Sequence, residues 1–178
     1  MTTTDDKRPI IRLYTDGACI DNPGPGGWAF ILKHSASSKS KEGSGGEHDS
    51  TNNRMEITAV IRGLEALKNP SIVELFSDSQ YVVQAINDWM AKWKRKGWKK
   101  SGEPLKNLDL WRRLDELMAT HQLKATWVRG HVGHAENERC DELATKAAAA
   151  IAKTPKPVKE KLPDVKAVEN KQRGLFDS

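Results

Sequence analysis

Cysteine is scarce: Cys19 and Cys140 are the only two in 178 residues. Two are too few for a disulfide framework and have no metal-ligand spacing, so both are expected to be reduced packing residues. Long apolar runs are missing too, and none approaches the roughly 20 residues that cross a bilayer. The opening stretch "MTTTDDKRP" lacks the apolar core of a secretory signal. A cytoplasmic protein with no membrane partner, and a monomer, is expected. No internal repeat is visible, so a repeat array is not indicated. Net charge is small once it is located: of +5 overall, +3 belongs to residues 153–178 and only +2 remains for residues 1–152. Global charge therefore says little about a polyanionic partner, and a local patch has to make that case.

What the chain does contain is enough for one domain with a substantial core, expected over residues 1–152. Residues 10–15 are β-branched and aromatic and read as a strand; "GWAFILK", residues 27–33, reads as a second, joined to the first by a Gly/Pro turn. Residues 34–50 are dominated by Ser, Gly and Lys, which predicts either a loop or a weak or short third strand at the edge. From residue 53 to 67, Ile57, Val60, Ile61, Leu64 and Leu67 recur at helical spacing, and Asn69-Pro70 closes the segment. "SIVELFSDS" predicts a strand ending at Asp78, followed by a helical pattern through Tyr81 and Ile86. Another helix follows around Leu108–Met118, then a short strand "KATWV", then an Ala-rich helix over residues 140–151. Hairpins followed by alternating strands and helices imply an α/β fold with a mixed sheet flanked by helices. Residues 153–178, rich in Pro and Lys without apolar periodicity, read as a disordered tail.

Four carboxylates stand where such a sheet gathers ligands. Asp16 and Asp78 end strands, and Glu56 and Asp141 border the apolar faces of helices. If the two strands are parallel neighbours, both aspartates open onto one edge. Carboxylates held together repel, and a divalent cation relieves the repulsion; oxygen-only ligation favours Mg2+ or Mn2+ over zinc. Taken singly, each acid has an ordinary reading as well: a helix cap at Asp78-Ser79, a solvated helix residue at Glu56, an acid near a helix start at Asp141. Spacing alone leaves the choice open.

The local patch lies between Trp89 and Lys100, where Lys92, Lys94, Arg95, Lys96, Lys99 and Lys100 interleave with Trp89, Trp93 and Trp98 and no acid intervenes. Trp89 and Trp93, one helical turn apart, suit packing onto the domain, which leaves the cations to neutralise phosphates.

Taken together, "TDGACIDNPGPGGWA", "TNNRMEITAVIRGLEAL", "SDSQYVVQAI", "DWMAKWKRKGWKK" and "VRGHVGHAENERCDELA" resemble bacterial type 1 ribonuclease H, in family order, over roughly residues 10–150. The resemblance implies a ribonuclease H-like mixed five-stranded sheet, three antiparallel strands then parallel ones. It also implies metal-dependent cleavage of the RNA strand of RNA–DNA hybrids, leaving 3′-hydroxyl and 5′-phosphate ends. Asp16, Glu56, Asp78 and Asp141 match the acids that hold two Mg2+, with Mn2+ as an alternative. His131 matches the loop histidine that assists proton transfer or product departure. Asn22, Asn52 and Gln80 match contacts to RNA 2′-hydroxyls and backbone, and Thr51 either a DNA-phosphate contact or a helix cap. Trp89, Trp93, Lys94, Arg95, Lys96 and Trp98 fall in the basic protrusion that grips the DNA strand. In the tail, Gln172, Leu175 and Phe176 resemble the Gln-x-x-Leu-Phe peptides that dock bacterial proteins onto the sliding clamp. Two other classes remain to be separated by assay: a hybrid-binding module without catalysis, against which all four acids argue, and a related nuclease acting on DNA.

Overall fold

The structure is a computed structural model and describes residues 6–130 and 134–158. The expectations for His131, Gln172, Leu175 and Phe176 lie outside the described residues. The chain runs β1 (Ile10–Cys19), β2 (Gly24–His34), β3 (Ser40–Ser50), α1 (Asn52–Glu65), β4 (Ile72–Ser77) and α2 (Gln80–Gln84). A π-helical turn (Ala85–Trp89) leads into α3 (Met90–Arg95), the short pair β5 (Lys99–Lys100) and β6 (Glu103–Pro104), α4 (Leu108–Thr120), β7 (Gln122–Trp127) and α5 (Ala135–Ala152). Five strands form one sheet in the order β3-β2-β1-β4-β7. The β1–β2 and β2–β3 pairs are antiparallel, and β1–β4 and β4–β7 are parallel.

Alternation along the strands divides the core in two. Leu13, Phe30, Leu32, Val73 and Leu75 pack with Ile57, Val60, Ile61 and Leu64 of α1 and with Trp111 and Leu114 of α4. Tyr14, Ala29 and Ile31 meet Cys140 and Ala144 of α5 on the other face. Both cysteines are free thiols, Cys140 fully buried. Small residues let α5 settle close: a Cβ on Gly27 would stand 2.0 Å from the Ala144 carbonyl oxygen.

The third strand, which the family resemblance implies but whose own residues leave open between a loop and a weak or short edge strand, is an 11-residue edge strand. Its apolar cover comes from its neighbour: Gly43 and Gly45 lie opposite Phe30 and Trp28, and a Cβ at either glycine would come within 2.5 Å of the facing ring. The rings lie over the bare backbone, which supplies the packing that β3's own side chains do not. Two other boundaries moved. The last helix starts at Ala135 rather than Cys140, with Glu136 and Glu138 in its acidic first turn, and the helix after Asp78 continues as one arm to Arg95.

Candidate active site

The pairing of β1 with β4 ends at Tyr14 and Phe76, so Asp16 and Asp78 each stand two residues beyond the last parallel pair, at one edge. Ser79, not Asp78, caps α2: its hydroxyl accepts from the Val82 N–H at 3.3 Å. Glu56 arrives from the second turn of α1, whose start is capped by the Thr51 hydroxyl accepting from Arg54 N–H at 3.2 Å. The glycine after Asp16 permits that arrival. A Cβ on Gly17 would lie 2.5 Å from Glu56 N and 2.6 Å from Met55 C, so only a bare backbone lets helix and strand touch here.

Oxygen atoms of Asp16, Glu56 and Asp78 come within 4.8 Å of one another. Asp16 is 6% exposed and accepts from the Gly17 N–H at 2.9 Å. Burial, and then the neighbouring charge of Asp78, push its pKa up from the usual 3.8 to about 7. Burial, followed by the charges of Asp16 and Asp78, raises Glu56 well above the usual carboxylate range. Asp141, on α5, falls outside this closest trio but lies near enough to Asp16 to add to the upward push on its pKa. The donor set passes a simple test for a hard cation. Glu56 Oε2 is buried with no hydrogen-bond partner among the described residues, and three carboxylates share one small volume.

The polar residues expected at a substrate surface flank this edge. Asn22 Oδ1 accepts from Asn52 N–H at 3.1 Å, tying the β1–β2 turn to the start of α1; Asn52 precedes Glu56 by about one helical turn. Gln80 opens α2, exposed, two residues after Asp78. Trp89 and Trp93 do pack the arm onto the domain: their ring centroids are 5.9 Å apart, Trp93 lies 5.3 Å from buried Trp111, and Tyr81 completes the cluster at 6.0 Å from Trp89. Trp98 is partly buried against the same core. Between arm, α4 and the β5–β6 hairpin lies a groove of about 580 Å³ with Tyr81, Trp89, Trp93 and Trp111 along it and Lys100 and Lys106 at its margin.

The cations of the arm are less uniform than the run of residues suggests. Lys92 pairs with Asp88 and Lys94 with Asp115, each at 3.1 Å. Arg95, Lys96, Lys99 and Lys100 make no ion pair among the described residues. Exposed pairs hold their partners by only about 0–1 kcal/mol, so Lys92 and Lys94 stay available but less freely.

Three contacts near the site had no forecast. Arg54 grips Asp109 with two hydrogen bonds of 3.1 and 3.0 Å, bracing α1 against α4. Trp127 Nε1 donates to the Asp78 carbonyl at 3.1 Å. Asn137 is buried in the first turn of α5, four residues before Asp141, and the i,i+4 spacing would have signalled it had the helix start been placed correctly.

The comparisons with known proteins agree with this geometry. The RNase H family model matches residues 8–149. Ribonuclease H of Rhodopirellula baltica is 55% identical over 141 residues, covering 77% of this chain and 89% of the relative. Ribonuclease H of Bradyrhizobium diazoefficiens is 54% identical over 137 residues, covering 76% and 88%. Among solved structures, LC9-RNase H1, a type 1 RNase H with the type 2 active-site motif, superposes with a TM-score of 0.74 at 29% identity, covering 83% of this chain and 76% of that one. LC11-RNase H1, solved in complex with an RNA/DNA hybrid, gives 0.62 at 25% identity, covering 79% and 97%. With its mixed sheet, its acid cluster and relatives at this identity, the chain belongs to the bacterial type 1 ribonuclease H family and is an enzyme of that kind.

Proposed function

We propose that the protein hydrolyses phosphodiester bonds in the RNA strand of RNA–DNA hybrids, with Asp16, Glu56, Asp78 and Asp141 as the metal-holding acids. The observation that carries this reading is the trio of carboxylates within 4.8 Å, one of them with an orphaned buried oxygen. Divalent cations there, two Mg2+ or alternatively Mn2+, would supply the charge that activates the attacking water and stabilises the departing oxygen, leaving 3′-hydroxyl and 5′-phosphate ends. Asp16 and Glu56, whose burial disfavours ionisation, give up their protons more readily when positive charge arrives, which couples activity to pH. Asn22, Asn52 and Gln80 place amides beside the acids, suited to a 2′-hydroxyl that both donates and accepts; Thr51 spends its hydroxyl on the cap. The aromatic groove with its lysine margin suits the sugar–phosphate backbone of the DNA strand. This division of labour explains why the RNA strand, rather than the DNA, meets the acids.

The test is cleavage of a labelled hybrid beside single-stranded RNA and duplex DNA, with Mg2+, for wild type and Asp78→Asn. Cutting confined to the hybrid's RNA and lost in the variant is expected. Cleavage of duplex DNA, or binding without cutting, would overturn the reading.

For the arm, charge-neutral replacements at Arg95 and Lys96 should weaken hybrid binding more than the same change at Lys94, which is already paired to Asp115. Each freed phosphate contact should flatten the log–log salt dependence of affinity by about 0.7–0.9. Binding titrations at several salt concentrations read this directly, and equal effects at the three positions would show that the Lys94 pair is immaterial.

A further inference from the structure

Asn137 has two amide atoms in very different situations. Its Nδ2 donates to the carbonyl of Phe76, two residues before Asp78, at 3.2 Å. Its Oδ1 is buried without a hydrogen-bond partner among the described residues, on a side chain only 7% exposed. Turning the amide over would set its oxygen against a carbonyl oxygen, so the donor–acceptor assignment is fixed by chemistry. Asn137 lines a cavity of about 10 Å³ together with Thr15, Asp16, Asp78, Val128, Gly130 and His134. That is about the room one water molecule needs. Its polar walls are the Asn137 amide oxygen, the carboxyl groups of Asp16 and Asp78, the Thr15 hydroxyl, itself buried without a hydrogen-bond partner among the described residues, and the His134 ring. An occupant that meets the Asn137 oxygen must donate to it and must be able to donate or accept toward the other walls. Water satisfies both size and polarity, and it relieves the cost of an unpaired buried oxygen.

We propose that Asn137 holds one water molecule on its Oδ1, that this water donates its other hydrogen to a carboxylate of Asp16 or Asp78, and that Asn137 thereby acts as a positioning residue that registers α5 against the ends of β1 and β4. Asp141 follows Asn137 by one i,i+4 step on the same helix face, so its carboxylate inherits that register. The direct bond to Phe76 fixes the helix to one strand, and the water-borne bond fixes it to the acid edge itself. The consequence for metal binding rests on the nuclease reading above; the water does not.

The experiment has two arms. A crystal structure of the wild-type protein at a resolution that shows ordered water should place one water about 2.6–3.2 Å from Asn137 Oδ1 and from a carboxylate oxygen of Asp16 or Asp78. A cavity without ordered water, or an Oδ1 bonded elsewhere, would overturn the proposal. Calorimetric titration of Mn2+ into Asn137→Ala should show affinity about 10–100-fold below wild type. Hybrid affinity in chelator and the far-UV circular dichroism should be unchanged. Equal Mn2+ affinity in the two proteins would overturn the positioning role. If the variant does not fold, the wild-type water decides alone. Hybrid cleavage by the wild type with no water at the site would sink this inference and spare the nuclease reading; the water present with no cleavage would do the reverse.

Discussion

Asp16→Asn should leave the protein inert and, without metal, harder to melt. Burial and the charge of Asp78 raise the Asp16 pKa from 3.8 to about 7, so the folded state holds a proton there that the unfolded chain releases. The sign follows from proton linkage. Between pH 4 and 7, as rough bounds, the folded state binds more protons than the unfolded one, so the site's contribution to stability falls as pH rises and the penalty is complete above about 7. Asparagine never charges and escapes that penalty. The melting temperature of the variant should match wild type near pH 5 and exceed it by about 5 °C at pH 8.5, corresponding to roughly 2 kcal/mol. Saturating Mg2+ should shrink the gap by stabilising only the wild type. Differential scanning calorimetry in chelator and in Mg2+ at both pH values provides the test. A variant that melts lower than wild type at pH 8.5 in chelator would show that the carboxylates do not repel one another as their placement implies.

Gly17→Ala should damage fold and chemistry together. The added methyl would stand 2.5 Å from a backbone nitrogen of α1, and neither partner is the loose end of a side chain. Helix α1 must retreat from β1, at a cost of about 3 kcal/mol, near the upper end for an overpacked core. A fall in melting temperature of about 10 °C is expected for a chain of this size. Retreat of α1 also carries Glu56 away from Asp16 and Asp78. Hybrid cleavage measured well below the lowered melting point should therefore still drop by at least about tenfold, in line with the penalty for a small misplacement of catalytic groups. Normal cleavage by a folded, destabilised variant would separate the helix approach from the assembly of the acids.

Much of this arrangement was legible in the residues, for reasons that can be named. The strands carrying Asp16 and Asp78 are apolar stretches that stop at polar turns, and α1 shows its buried face at helical period. What periodicity could not supply was convergence, because nothing in the spacing of Asp16, Glu56 and Asp78 says that a glycine lets a helix touch a strand between them. Resemblance to a family supplied it. The regularity of the third strand could not be read from its own residues since its packing atoms belong to Trp28 and Phe30 on another strand; a glycine's value in a sheet depends on what lies across the ladder. The start of α5 was missed since "HAENER" offers no apolar stripe, and its signals were acids suited to a helix N-terminus and an asparagine one turn before Asp141. The pairing of Lys94 with Asp115 joins residues 21 positions apart, which a run of cations does not reveal.

The crowded indoles give the molecule an optical property of its own. Trp89, Trp93 and Trp111 stand in a chain with ring centroids 5.9 and 5.3 Å apart, held at tilted angles by the union of arm and α4. Chromophores so close and skewed should couple electronically, and a near-ultraviolet dichroism signal from the cluster is expected. Any event that pries the arm from α4 must weaken that coupling, so the protein carries an unlabelled gauge of how the arm is seated on the domain.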